Sequence, residues 1–274
     1  MLTRLLPAHP RKQYPASGAC IYCGASGRLT DEHIIPYGLG GRWVLPDAAC
    51  TECARITGMF ERTCLRTMFG PLRMHFDLPT RRRTARPKAL PLKVKIKPDD
   101  DWSYIDVERE AYPFLVLFPQ YQLPDEISGS TTTGRRDSAT NSSWIRAASF
   151  RDGLFPHLEY LCQRLGVASV MPTAKCLTTP FCLMVAKIAH AFAIAELGNS
   201  FQPFLSEMIL RADTSNCKQY VGGLPQAEPA SASLHELSFD FGSERCARRG
   251  VIVVRIRLLA SLETPTYYVA AGRV

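Results

Sequence analysis

The chain has 274 residues, of which 46% are hydrophobic and 21% are charged. This composition is ordinary for a folded protein and excludes a collagen-like, wholly disordered or disulfide-dense small scaffold. Its formal net charge of +8 comes from the first 98 residues, which carry 17 lysines and arginines against six acidic residues. A basic surface of this kind is expected of a nucleic-acid-binding protein, and a merely soluble basic surface is the alternative.

The first 18 residues are rich in proline and basic side chains and predict a loose leader. The segment "MLTRLLPAHPRKQ" has an apolar core of only two leucines, broken by prolines, which does not fit a secretory signal. Without such a signal, short-spaced cysteines favour metal binding over disulfides. We therefore expect a cytoplasmic protein in a reducing compartment.

Two Cys-x-x-Cys pairs follow, Cys20 with Cys23 and Cys50 with Cys53, separated by 26 residues. Four thiolates in two such pairs are the ligand set of a closed tetrahedral zinc site. A thiol redox protein is an alternative, but it lacks the expected βαβ context and would not need the second pair. The remaining cysteines show no ligand spacing and are predicted to be buried free thiols: Cys64, Cys162, Cys176, Cys182, Cys217 and Cys246.

Between the two pairs lies "DEHIIP", residues 31–36, and then "GLGG", residues 38–41. A zinc clip needs neither segment. Adjacent carboxylate and imidazole side chains point to opposite faces of an ideal strand, so Glu32 and His33 can share a site only if the strand bends or the loop folds over. Pro36 is expected to end that strand. We interpret "GLGG" as a turn, because it lacks the lysine and the strand-loop-helix context of a P-loop.

With "CIYC", "DEHIIP", "LGG", "CTEC" and the "FE" at Phe60–Glu61, residues 18–70 resemble the HNH endonuclease family. The resemblance is to the branch whose small ββα-metal fold is held by two Cys-x-x-Cys pairs. It implies a zinc-bound HNH module over residues 19–80. With the larger mixed α/β domain that the pattern of the remaining residues predicts, the expected fold class is α+β. The resemblance also implies that Cys20, Cys23, Cys50 and Cys53 hold a structural zinc ion.

The resemblance further implies a catalytic site at the "EH" dipeptide. His33 matches the family's general base, which takes a proton from the attacking water. Glu32 matches the acidic position that helps to hold one divalent ion, Mg²⁺ or Mn²⁺. The alternatives are that His33 is a core or surface histidine and that Glu32 is a solvated charge.

Two family positions are not matched. The family's usual asparagine before the second pair is replaced by Leu45, and Asp47 is the nearest polar side chain that could hold the imidazole tautomer. Ala54 follows Cys53 and cannot bind metal. If a helix starts there, Glu61 lies on the same face as Ala54 and could supply the missing carboxylate to a shifted metal. Asp47 as a turn residue and Glu61 as an ion-pair partner are the alternatives.

Basic residues surround this motif. Arg55, Arg62 and Arg66 fall near helical spacing, and Arg81, Arg82 and Arg83 follow. Such side chains bind phosphates without reading sequence, although a solvated basic face would use the same residues.

The remaining chain predicts a mixed α+β domain over residues 92–274, joined by a Pro/Arg linker over residues 81–91. Expected strands are 92–97, where Leu92, Val94 and Ile96 alternate with lysines, and 112–119, 248–260 and 265–272. Expected helices are 153–166, 179–198 and 204–211, and residues 129–143 are expected to be a polar loop. Within the longest helix, Lys187 and His190 interrupt the apolar run, which favours a core helix over a membrane span.

Together these features predict a metal-dependent endonuclease with nucleic acid, most naturally DNA, as its partner. A non-catalytic zinc module that binds nucleic acid is the alternative. The C-terminal domain would serve targeting, activation or oligomerisation, with a second copy or a partner protein.

Overall fold

The computed structural model describes residues 6–81, 84, 86–129, 145–148, 154–198, 200–240 and 250–274, without the side chains of 145–148 and 225–227. The predicted polar loop from residue 130 onward, Arg82, Arg83 and Cys246 lie outside the described residues.

The N-terminal module consists of a three-stranded sheet and the helices that follow it. In chain order its elements are β1 (Lys12–Gln13), β2 (Leu29–His33), a 3₁₀ turn (Tyr37–Leu39), β3 (Trp43–Cys50), α1 (Thr51–Thr63), a π-helical turn (Cys64–Met68) and α2 (Gly70–His75). β3 lies between β1 and β2 and is antiparallel to β2.

Helix α1 begins at Thr51, directly after Cys50, the first cysteine of the second pair. The Cys50 sulfur accepts a hydrogen bond from the Cys53 N–H at 3.5 Å and so caps the helix. Glu52 in the first turn and Arg62 in the last turn have the charge signs that the helix dipole favours. The turn that ends β2 needs its glycines: Gly40 has a left-handed φ of 87°, and a Cβ on Gly41 would collide with the Ile35 carbonyl.

The middle of the chain contributes a three-stranded sheet and a separate two-stranded sheet. Its elements are β4 (Ala89–Lys95), β5 (Ser103–Glu108), β6 (Val116–Pro119), α3 (Asp125–Ser128), β7 (Ile145–Ala148), α4 (Leu154–Leu165) and β8 (Ser169–Met171). The predicted strand at 92–97 is confirmed for Leu92 and Val94, which are fully buried. Ile96 is 55% exposed because β4 ends at Lys95, so its predicted burial is wrong.

The C-terminal part packs a long helix against a five-stranded sheet. Its elements are α5 (Thr178–Leu197), β9 (Gln202–Pro203), α6 (Ser206–Arg211), α7 (Cys217–Tyr220), β10 (Val221–Ala227), β11 (His235–Phe239), β12 (Val251–Leu258), a 3₁₀ turn (Ala260–Leu262) and β13 (Pro265–Arg273). The sheet order is β10-β13-β12-β11, with β9 on β13. The predicted helices and the antiparallel pair of terminal strands are confirmed within a few residues of their ends.

Helix α5 is apolar on every face, which is typical of a helix buried in a core. In the described part of the chain it is the one helix long and apolar enough to cross a membrane, by length and composition alone. Within the window that meets this test, 72% of the residues are buried inside the protein. Core helices of soluble proteins pass the same test.

The main hydrophobic core is shared by the N-terminal module and the C-terminal elements. Ile34 and Phe69 from the module lie in one buried cluster with Phe181 from α5 and Val254 from β12. A separate small core lies between β4, β5 and α4. The domain boundaries proposed from composition stay a prediction, and helix α1 of the module packs against α5.

One prediction about cysteines is wrong. Cys182 on α5 and Cys217 on α7 form a disulfide across 35 residues, with their Cα atoms 7.0 Å apart. No short cysteine spacing in the sequence predicts this disulfide, because the packing of two helices brings the two sulfur atoms together. Cys64 is a buried free thiol, as expected, whereas Cys162 and Cys176 are free but only partly buried, so their predicted burial is wrong. His190 is fully buried, as predicted for a core histidine.

Candidate active site

The four paired cysteines form one cluster beside the sheet. Their sulfur atoms all lie within 4.8 Å of one another, and the Cys23 and Cys50 sulfurs are 3.8 Å apart. Sulfurs about 2.3 Å from a central tetrahedral zinc ion are about 3.8 Å from each other, so this donor set fits zinc. The four cysteines can therefore hold a structural zinc ion, which joins the start of the module to the first turn of α1.

A cleft of about 950 Å³ opens between β2 and α1. Its floor and walls are Thr30, Asp31, Glu32, His33, Pro36, Tyr37, Gly38, Ala54, Thr57, Gly58, Glu61, Arg62, Leu65, Arg66, Arg73, Met74, Pro79, Thr80, Arg81, Arg86 and Pro87. The helix face predicted from Ala54 and Glu61 does line this cleft. Glu32 and His33 both line it as well, and the register of β2 against β3 shifts just before them, between Thr30 and Glu32.

His33 lines the cleft at the end of β2. Its ring packs edge-on against Tyr37, with ring centroids 5.5 Å apart. Burial and the positive charges of Lys187 and Arg81 lower its pKa, and Glu61 and Asp31 oppose them only in part. The imidazole is therefore neutral at pH 7 and able to accept a proton. Among the described residues no side chain hydrogen-bonds the ring, so none fixes its tautomer.

Glu32 and Glu61 converge, as the position of Glu61 on α1 suggested. Both carboxylates form ion pairs with the same ammonium group, that of Lys187 on α5, and the Glu61 pair measures 2.9 Å. Lys187 also donates hydrogen bonds to the carbonyl oxygens of His33 and Ile34. In the sequence, Lys187 stands out only as a break in an apolar run. That break, a lysine where a buried helix demands an apolar side chain, was the one available signal.

The pKa values in this cluster follow from burial and pairing. Burial alone would lower the pKa of Lys187, but the two carboxylates outweigh it and raise that pKa, so the ammonium is charged. Burial raises the pKa of Glu32, and Glu61 adds to the effect. Tyr22 is buried beside Glu32, and burial and both carboxylates raise the pKa of its phenol.

Glu61 and Asp47, the residues expected to replace the missing family side chains, occupy different places: Glu61 lines the cleft and Asp47 does not. Leu45 lies directly opposite Glu32 in the β2–β3 register and is buried, and Ala54 lines the cleft without a donor atom. Asp47 has a left-handed φ of 48°, is exposed, and is not part of the cleft lining. The irregular backbone there turns its side chain away, so the structure does not bring Asp47 and His33 together.

The predicted phosphate-binding arginines divide into two groups. Arg62, Arg66 and Arg81 line the cleft and make no ion pair within the described residues. Arg55 lies outside the cleft and pairs with Glu52 at 2.6 Å. A further cleft residue, Arg73, is structural: it donates to the carbonyls of Gly38, Leu65 and Pro79, and burial lowers its pKa to about 10.

The zinc clip, the bent "EH" strand and the following helix agree with one known family. Residues 20–69 match the family model of the HNH endonucleases. The N-terminal part of the chain is thus an HNH zinc module. No curated protein and no solved structure matches the chain. The HNH match suggests a nuclease-type function and a nucleic-acid substrate, and it covers none of the chain that supplies Lys187.

Proposed function

We propose that the chain is an endonuclease that hydrolyses phosphodiester bonds of DNA in the cleft of its HNH module. The observation that carries this proposal is the neutral His33 in the cleft, at the position of the family's general base, with three cleft arginines that form no ion pair with the acidic residues that the structure describes. His33 would take the proton from the attacking water. Arg62, Arg66 and Arg81 would hold the phosphate and offset the charge that develops on it.

The resemblance also implies a divalent catalytic ion, and the described residues do not fit one. The carboxylates that would bind it, Glu32 and Glu61, both contact the ammonium of Lys187. That ammonium lies at the point where the two carboxylates converge. No step of the proposed reaction therefore passes through Mg²⁺ or Mn²⁺.

A second candidate function is a non-catalytic module that binds nucleic acid. It is favoured by Leu45, which pairs with Glu32 in the β2–β3 register, and by Ala54, which lines the cleft. Both replace polar family residues with side chains that can neither orient the imidazole nor bind metal. The cleft arginines serve binding equally well in this case.

A plasmid assay separates the two functions. The zinc-loaded full chain is incubated with supercoiled DNA in three buffers, containing Mg²⁺, Mn²⁺ or EDTA, beside His33→Ala. Zinc content and melting temperature verify that both proteins are folded. Nicking by the wild type that His33→Ala reduces by about 10²-fold or more supports the enzyme. Salt-sensitive DNA binding without nicking in any buffer would establish the binding module instead.

A further inference from the structure

A buried cation lies beside two carboxylates that line the cleft. The side chain of Lys187 leaves the buried helix α5 and ends among four oxygen atoms of the HNH module. Two are the carboxylate oxygens of Glu32 and Glu61, and two are the backbone carbonyls of His33 and Ile34. The side chain is 1% exposed. These contacts join residues about 150 positions apart in the chain.

The oxygen donors around Lys187 are those that a hard divalent ion prefers. Carboxylates and backbone carbonyls are common ligands of Ca²⁺, and carboxylates are those of Mg²⁺. An ammonium uses the same oxygens through its three N–H donors. Lys187 therefore takes both the position and the donors that a divalent ion would need, and a second cation there would be repelled by its charge.

The two carboxylates can be buried in their ionised form only if a cation lies beside them. Glu32 is 6% exposed and the Glu61 side chain 19%, so bulk water hydrates neither carboxylate fully. A buried carboxylate without a counter-ion is strongly unfavourable. Since Lys187 arrives with the fold itself, the protein meets this requirement without binding an ion from solution.

We propose that Lys187 is the resident cation of this site and takes the place of a divalent ion, so that the cleft acts without Mg²⁺ or Mn²⁺. Lys187 is then a positioning residue: it holds Glu32, Glu61 and the backbone of His33 in place but does not reach the substrate. The inference deepens the proposed function, on which its consequence for nicking rests. The occupancy of the site can be tested independently of any activity.

The test measures Mn²⁺ binding to the zinc-loaded full chain by electron paramagnetic resonance. The wild type is expected to bind no Mn²⁺ at this site. Lys187→Ala removes the ammonium and leaves the oxygens, so it is expected to gain one Mn²⁺ site at least about tenfold tighter than any in the wild type. The double variant Glu32→Gln/Lys187→Ala, which lacks one carboxylate, is expected to lose that site. Mn²⁺ should also raise the melting temperature of Lys187→Ala and leave that of the wild type unchanged.

The wild type by itself keeps the proposal falsifiable if Lys187→Ala does not fold. One Mn²⁺ ion bound per wild-type chain, and lost in Glu32→Gln, would overturn the proposal. So would wild-type nicking that His33→Ala abolishes but that occurs only with Mg²⁺ or Mn²⁺ and not in EDTA with zinc retained. If no nicking occurs in any buffer, the proposed function fails, while the Mn²⁺ result still decides the role of Lys187.

Discussion

The zinc clip and the cluster of Glu32, Glu61 and Lys187 both use residues of the HNH module but are assembled in different ways. All four clip residues lie within residues 20–53, and the pairing of β2 with β3 brings the two cysteine pairs together. The acidic cluster takes Glu32 from β2, Glu61 from α1 and its cation from α5, far along the chain. A scaffold encoded by a short stretch of sequence can therefore carry a site whose charge balance depends on the rest of the fold.

The largest expected effect comes from breaking the clip. Cys50→Ser should abolish zinc binding and unfold the module, because structural zinc sites contribute roughly 10 kcal/mol to folding in small domains. Metal analysis and circular dichroism melting measure the two effects. Cys162→Ser, a free cysteine outside the clip, is the matched control and should keep the zinc. A zinc-free Cys50→Ser that melts like the wild type would show that the shared core, rather than the clip, holds the module.

Removal of the cation should have a smaller but still large effect. Lys187→Met leaves two buried carboxylates unpaired and should lower the free energy of unfolding by about 3–5 kcal/mol at pH 7. At lower pH the carboxylates take up protons, so the deficit should shrink. Urea denaturation at pH 7 and pH 5 measures both values.

A double-mutant cycle measures how strongly Glu32 of the module is coupled to Lys187 of α5. Glu32→Gln combined with Lys187→Met should recover part of the loss, because the variant has one buried charge fewer to leave unpaired. Strictly additive effects of the two substitutions would mean that the ion pair does not couple the module to α5.

A second contact between the module and the C-terminal sheet predicts a pH effect. His235 donates from Nε2 to the Leu39 carbonyl at 2.9 Å and accepts at Nδ1 from the Leu259 N–H at 3.1 Å, so it is neutral. Burial lowers its pKa from 6.5 to about 3. Between these values the unfolded chain binds a proton that the folded chain does not, so stability falls as pH falls below 6.5.

The expected loss from this histidine is roughly 2 kcal/mol between pH 7 and pH 5. Urea denaturation at both pH values measures it, with His235→Gln as the comparison, because glutamine does not titrate. The wild type should lose more stability on acidification than His235→Gln. Equal losses in the two proteins would show that His235 is not the group that titrates.

The smallest effects are expected at the cleft arginines. Arg62→Ala or Arg66→Ala should weaken DNA binding about uniformly across sequences and reduce the slope of log affinity against log salt by about 1. Arg55→Ala is the matched control on the same helix, because Arg55 lies outside the cleft and pairs with Glu52. Fluorescence anisotropy at several salt concentrations gives the slopes. An equal change in Arg55→Ala would place the DNA outside the cleft.

The sequence alone determined the features that depend on neighbours along the chain. The spacing of the cysteines predicted the clip, the alternation around Leu92 predicted β4, and the apolar run after Thr178 predicted α5. The helical period placed Ala54 and Glu61 on one face of α1, and the structure places that face on the cleft. These inferences succeeded because turns, strand pleats and helix periods are short-range properties.

Only the tertiary structure decided which partners those residues meet. It turned Asp47 away from the cleft, joined Cys182 to Cys217, and brought the ammonium of Lys187 to Glu32 and Glu61. A lysine inside an apolar helix marks itself as unusual but does not name its partner, because the partner is chosen by how helix α5 packs on the module. The sequence thus fixes the residues of the "EH" site, whereas long-range packing decides which cation stands beside them.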